Sequence, residues 1–361
     1  MRIPLLLISI ISIAYGETVL VSPHGTYPTL PLAKDEIVVK VVQNLVKNIE
    51  EFQTPEEGLK INLESMTSWI IKACNEQPKP DFILFNEFPL TGYTAGPREK
   101  KLKMTIAIPG NETIKLGQLA KQCNSYLIFG SYARDLEWPG HILSINVVIN
   151  PKGEIAKKFW KSKNIKRFGL EGTGEIPTTT IESVYTKYVK KYGIEELFPV
   201  LKTEYGNIAV STVQLDPFVF AAFAMRGVEI MFRTATLFAE EDVLATARYF
   251  NLYTAMANII FPSDKPYSHL GGGSLIVNNS GKIIAHAKGN VESIATSIIP
   301  IKKFREGRTI PRFSLQLVQP LFYNYQDEIP LDHMDLPPDQ LPSDEKAMKK
   351  YLDSVSRWIK K

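Results

Sequence analysis

The sequence predicts a layered α/β domain. Short β-branched, apolar segments alternate with longer segments whose apolar residues recur at helical spacing. The 361 residues suffice for one large domain or two ordinary ones. Charged residues at 22% and aromatics at 10% are ordinary globular usage, which excludes a disordered, collagen-like or coiled-coil chain. The net charge of +4, from 42 basic and 38 acidic residues, is too balanced to argue for a nucleic-acid partner.

Arg2 precedes an apolar run over residues 3–14, and Ala14-Tyr15-Gly16 offers small residues where a signal peptidase reads. This predicts a signal peptide over residues 1–16 and an exported chain, secreted or periplasmic. The run is shorter than the roughly 20 residues a spanning helix needs.

Residues 17–34 form a lead-in without periodicity. Residues 37–43 read as a strand, and residues 57–77 carry Leu59, Leu63, Met66, Ile70 and Ala73 on one helical face. Strands follow at 81–85, 126–132 and 142–150, with a helix at 113–123 and a Pro-Lys-Gly turn after Asn150. Further strands at 208–215, 228–233 and 255–261 enclose helices near 218–226 and 240–252. Residues 272–278 and 282–287 flank Asn279-Ser280-Gly281, a hairpin signal. Residues 162–205 lack a periodic core and read as a long excursion with one helix near 181–192. Such excursions often cover active sites. Residues 330–342 are rich in Pro and Asp, a linker or wrapping arm. They lead to a helix whose Met348, Tyr351, Leu352, Val355 and Ile359 must dock on the domain or on a partner subunit. The organisation expected is therefore a domain over 35–302 and a C-terminal arm and helix over 303–361.

Cys74 and Cys123 are the only cysteines. Their separation fits no metal-binding pattern, and in an oxidising compartment they are either bridged or buried as free thiols. The histidines, His141 and His269 among them, show no ligand spacing. Gly169, Gly172 and Gly174 lack the Gly-Lys-Ser/Thr of a phosphate loop. No metal and no cofactor is expected. Asn111-Glu112-Thr113 and Asn278-Asn279-Ser280 fit the N-glycosylation pattern.

Two charged residues stand out. Glu87 leaves the apolar strand Phe82-Ile83-Leu84-Phe85, at the strand edge where α/β folds hold ligands. Taken alone, a strand-end glutamate is more often solvated or structural. Lys161 lies in a basic stretch in which six of residues 157–167 are Lys or Arg, a pattern that alone reads as a solvated face.

In order and flanks these segments resemble the nitrilase superfamily of carbon-nitrogen hydrolases, nearest its aliphatic amidase and formamidase branch. Glu87-Phe88-Pro89-Leu90-Thr91-Gly92-Tyr93 is similar to that family's catalytic-glutamate segment. Gly153-Glu154-Ile155, followed eight residues after its glycine by Lys161, is similar to the catalytic-lysine segment. Ala224-Met225-Arg226-Gly227-Val228-Glu229-Ile230 resembles the helix-to-strand passage after the nucleophile. Tyr267-Ser268-His269-Leu270-Gly271 and the strand to Val277 resemble a later glycine-containing segment.

The resemblance, covering about residues 37–301, implies a four-layer αββα sandwich that dimerises through one helical face, with the C-terminal arm reaching to the partner. It implies a cysteine thiolate attacking an amide or nitrile carbon, with Glu87 as general base and acid and Lys161 stabilising the oxyanion. A second glutamate supports the lysine; Glu137 is the closest match. The nucleophile is the point of departure, since this chain reads Ser211-Thr212-Val213-Gln214-Leu215-Asp216-Pro217 and contains no cysteine there. Counting back from Ala224-Met225-Arg226-Gly227 puts Ser211 in the cysteine position; counting forward from Gly206 puts Val213 there.

Three functional readings follow. The favoured one is an exported homologue without Cys-dependent amidase activity that keeps a Glu87/Lys161 pocket for a small amide- or carboxylate-like ligand. The second is an active amidase using Ser211 or a Glu-activated water. The third is a secreted scaffold or interaction protein. A homo-oligomer through the sandwich face and C-terminal arm is expected, and no nucleic-acid partner.

Overall fold

The computed structural model describes residues 20–93, 96–164, 176–263 and 268–358. The signal-peptide segment, the three clustered glycines at 169, 172 and 174, Tyr267 and Ile359 lie outside the described residues.

The first half runs β1 (Ile37–Gln43), α1 (Pro55–Asn75), β2 (Phe82–Leu84), α2 (Arg98–Lys103), β3 (Ile106–Ala107), α3 (Asn111–Cys123), β4 (Tyr126–Arg134), β5 (Leu143–Ile149) and β6 (Ile155–Trp160). The second runs α4 (Tyr185–Tyr192), β7 (Leu201–Thr203), β8 (Gly206–Ser211), α5 (Pro217–Met225), β9 (Ile230–Ala235), α6 (Glu240–Phe250), β10 (Tyr253–Asn258), β11 (Ser274–Val277), β12 (Ile283–Ala287) and β13 (Ser293–Ile299). The chain closes with α7 (Ile301–Gly307), α8 (Leu315–Asn324) and α9 (Glu345–Val355).

The strands form two sheets, ordered β13-β1-β2-β4-β5-β6, with β3 against β4, and β12-β11-β10-β9-β8-β7. Alternation along each strand sets the layers. Val39, Val41, Phe82, Leu84, Ile128, Val148 and Phe159 of the first sheet share one core with Ile208, Val210, Ile230, Phe232 and Ile276 of the second. The opposite face of the first sheet, including Ile83, Leu127, Phe129 and Val147, meets Met66, Ile70, Leu116 and Ala120 of α1 and α3. The outer face of the second sheet, Ala235, Met256, Leu275 and Val277, meets Val243 and Ala247 of α6. The result is the expected αββα sandwich.

Local chemistry fixes the helices. Thr54 caps α1 by accepting from Glu57 N, with Pro55 in the first turn. The buried Lys40 ammonium of β1 donates to the Ala73 and Glu76 carbonyls at the other end, each at 2.7 Å, a cation where the helix dipole is negative. Burial pushes the Lys40 pKa below its ordinary value. Cys74 and Cys123 are bridged, with Cα atoms 5.6 Å apart, tying α1 to α3 and resolving the alternative the sequence leaves open.

Glu229, immediately before β9, is fully buried. Arg305 of α7 grips it with Nε to Oε1 and Nη2 to Oε2, each at 2.7 Å, and Asn207 N and Tyr27 Oη complete its shell. This carboxylate thus fastens the N-terminal lead-in and α7 to the second sheet.

The C-terminal arm folds back on its own chain. Arg98 Nε donates to Pro342 O at 2.7 Å, Met334 N to Ser183 O at 2.8 Å, and Met348 and Leu352 of α9 are buried with the residues of α1 and β5. The apolar face of α9 therefore docks on the domain. By contrast, α8 contains no buried residue: Leu317 is 80% and Leu321 73% exposed. No helix among the described residues is long and apolar enough to cross a membrane.

Candidate functional site

The site lies between the sheets at the ends of β2, β5, β6, β8 and β9. Parallel pairing of β2 with β4 continues one step past the strand, Gly130 N donating to Asn86 O, after which the chain turns over the first sheet. Glu87 sits at that turn. A Cβ on residue 130 would overlap the Glu87 carbonyl oxygen and approach its Cα to 2.8 Å, so only glycine lets this backbone settle on β4. Asn86 Oδ1 accepts from Phe88 N, and Asn62 of α1 donates to Leu90 O at 2.8 Å, holding the turn from both sides. Gly92, at φ +68°, lies so close to Asn48 that a Cβ would meet its Oδ1 at 2.6 Å. The Glu87-to-Tyr93 string is thus a fitted turn rather than a generic strand exit.

Lys161 follows β6. Its backbone N donates to Ser144 O at 3.0 Å, continuing the β5–β6 ladder and placing its side chain on the face shared by Phe159. Lys161 Nζ stands 3.1 Å from Glu87 Oε1, and Ser144 Oγ donates to the same oxygen at 3.4 Å. The glutamate side chain is 4% exposed and the lysine 17%, so the pair is sequestered from most solvent. An ion pair in such surroundings interacts far more strongly than one at the surface, and its two charges offset each other's desolvation.

The second sheet closes the site. Thr234 of β9 donates to Asn146 Oδ1 of β5 at 2.6 Å, one hydrogen bond joining the two sheets two residues from Ser144. Ser211 ends β8 in register with Arg233. That register decides its direction: Phe232 packs on Phe82 across the sheets, Arg233 therefore faces the outer helices, and Ser211 faces with it. Ser211 Oγ accepts from Val213 N at 3.1 Å. Among the described residues it hydrogen-bonds to neither Glu87 nor Lys161.

Arg233 is wholly buried among α5 and α6, its guanidinium 4.1 Å from the Phe220 ring and its Nη2 2.6 Å from Asp242 Oδ2. Burial lowers its pKa and the Asp242 carboxylate opposes that shift. Nη2 also donates to Val213 O at 2.5 Å, while Asp242 Oδ1 accepts from Leu215 N. Leu215 takes the left-handed region at φ +57°, and Asp216 caps α5 by accepting from Phe218 N and Val219 N. Lys163 Nζ spans 2.6 Å to Asp216 Oδ2, linking the exit of β6 to the start of α5. The strand expected to reach Leu215 therefore stops at Ser211, because Arg233 and Asp242 draw the chain into a tight turn.

Glu137 is not brought to Lys161. It lies half-exposed on the turn between β4 and β5, and its carboxylate pairs with Lys191. His141 is buried with Nδ1 2.8 Å from Thr179 Oγ1, and burial holds its pKa down at about 4; His269 is exposed. Among the described residues no group of three or more His, Cys, Asp or Glu gathers as a metal-ligand set.

Ser144, Asn146 and Arg233 were not singled out from the sequence. A signal for the first two existed, since Ser144 and Asn146 alternate as the only polar residues inside the apolar run of β5.

A family model described as carbon-nitrogen hydrolase matches residues 40–309. The omega-amidase of Homo sapiens is 30% identical over 215 residues, 57% of this chain and 73% of that protein. The omega-amidase of Xenopus tropicalis is 27% identical over 209 residues, 56% and 71% of the two chains. Among solved structures, an amidase from a Nesterenkonia species in complex with acrylamide superposes with a TM-score of 0.58 at 14% identity, covering 81% of this chain and 99% of that one. The NitFhit protein of C. elegans gives a TM-score of 0.58 at 15% identity, over 82% and 66%. At these identities the structural likeness is one of architecture.

Proposed function

The chain belongs to the carbon-nitrogen hydrolase family, and we propose that it is an exported member without Cys-dependent amidase activity. On this reading it keeps the Glu87/Lys161 pocket for a small amide- or carboxylate-like ligand. The observation that carries the reading is the fate of its two cysteines: both are consumed in one disulfide between α1 and α3, leaving no thiol, while the buried pair of Glu87 and Lys161 persists. A mere scaffold needs no such pair, because desolvating two charges is costly where packed apolar side chains would serve. Export is supported by the apolar run over residues 3–14 and by the disulfide, which suits an oxidising compartment.

The pocket is tested by ligand-dependent melting. A small amide or carboxylate at about one hundred times its Kd stabilises the native protein by about 2.7 kcal/mol. Glu87→Gln and Lys161→Met should each remove most of that stabilisation. Equal stabilisation of both variants and the wild type would overturn the assignment.

Self-association belongs to the same proposal. The Phe322 ring of α8 lies 5.2 Å from that of Phe218 of α5, which is 62% exposed, and Leu317, Leu321 and Tyr323 of the same helix are exposed as well. A face of this kind suits a second copy of the chain, which a two-fold axis would bury against itself. Light scattering should give twice the chain mass, falling to one chain mass in Leu317→Lys/Leu321→Lys. A wild-type monomer at tens of micromolar would remove the dimer.

A further inference from the structure

A second cleft, of about 370 Å³, opens at the far end of the second sheet from Glu87 and Lys161. Tyr253, the first residue of β10, lines it and pairs in parallel register with Ile230 at the start of β9, whereas the site described above lies where β8 and β9 end. Lys303 and Phe304 of α7, Arg308 immediately after that helix, Asn251 at the end of α6 and Asn279 of the β11–β12 turn also line it.

Arg308 is the unusual member. It is 6% exposed, and its Nε donates to Asn251 O at 3.0 Å, a cation at the negative end of α6. That cap uses one nitrogen of three. Nη1 and Nη2 are buried and have no hydrogen-bond partner among the described residues. The guanidinium lies 4.9 Å from the Tyr27 ring and 5.7 Å from that of Phe304, which shield it from water. Glu229, bonded by the Tyr27 hydroxyl, is already gripped by Arg305 and Asn207 N and supplies no counter-ion. A buried guanidinium is ordinarily paired, because idle donors and an uncompensated charge are costly away from water.

The surroundings share that sign. Lys303 is exposed at the cleft, and no Asp or Glu lines it among the described residues. Tyr253 is 6% exposed, and burial raises its pKa, so its hydroxyl stays a protonated donor.

We propose that this cleft binds a dianionic tetrahedral oxyanion, the sulfate or phosphate group of a small ligand, through the Arg308 fork, Lys303 and Tyr253. Two cations without an acid balance two negative charges. The fork takes two oxygens and leaves the others to the lysine and the tyrosine. A carboxylate brings one charge and two oxygens, and matches the set less well. The site is independent of the Glu87/Lys161 pocket.

Sodium sulfate is titrated into the full mature chain by calorimetry, against sodium chloride at equal ionic strength. Saturation is the deciding feature, since sulfate stabilises proteins generally by exclusion from their surface without saturating. The expected result is one saturable site per chain. Arg308→Gln should weaken it about 10–100-fold, and Lys303→Gln, at an exposed position, about 2–5-fold. Should Arg308→Gln fail to fold, Lys303→Gln and Arg308→Lys, which keeps the charge and loses the fork, decide the matter by weaker binding. Inorganic phosphate and glucose 6-phosphate separate the sources. Tighter binding of the ester assigns the cleft to a phosphorylated small molecule, and equal or weaker binding to the free anion. Absence of a saturable site for all three anions, or affinities left intact by these variants, overturns the proposal. Tighter binding of acetate than of sulfate overturns the dianion.

Discussion

Purified mature protein should release no ammonia from acetamide, propionamide or short nitriles above the rate of a heat-treated control. The physical reason is the nucleophile. A thiol near neutral pH is already partly thiolate, whereas a serine hydroxyl attacks only when a base takes its proton. Among the described residues Ser211 has no such base: it faces the outer helices beside Arg233, and its oxygen is engaged by Val213 N. Glu87, the carboxylate that would serve, is occupied by Lys161 and Ser144. Water activated by Glu87 lacks the covalent step that divides a difficult hydrolysis into two easier ones. Steady ammonia release that survives further purification would overturn the inactive reading. Its loss in Ser211→Ala would then restore the serine mechanism, and its persistence would point to water.

The same region shows what a linear reading reaches and where it stops. Glu87 and Lys161 were legible because each sits in a string whose geometry is local: a turn fitted around Gly92 and a ladder continuing from β6. The partnership between them is 74 residues long in sequence and needed the folded sheet. The end of β8 was misjudged for a related reason. Residues 212–215 look like more strand, but Arg233 and Asp242 bind Val213 O and Leu215 N from the following strand and helix, which no local pattern contains. Glu137 was attractive because Glu137-Trp138-Pro139 precedes a strand of the right kind, yet its carboxylate points to the surface where Lys191 meets it. Helix α8 escaped notice because Pro320 stands inside it, a residue type that in a linear sequence marks the end of a helix.

Replacing Cys74 and Cys123 together with serine should lower stability by about 4 kcal/mol, the loop-closure value for a separation of 49 residues. The bridge joins the C-terminal ends of α1 and α3, and these helices cover the outer face of the sheet that carries Glu87 and Lys161. Guanidinium unfolding should therefore move to a lower midpoint in the double variant and, by the same amount, in wild type treated with dithiothreitol. Thiol titration of unfolded, unreduced protein carries the functional weight. Zero free thiols is the expected count, and it removes the last candidate for a cysteine mechanism. Two free thiols would dissolve the bridge and weaken the case for export. They would not restore ordinary amidase chemistry, since both cysteines stand at the ends of helices on the far face of the first sheet, away from Glu87. The chain uses its two cysteines as a brace between α1 and α3 and carries none at the end of β8.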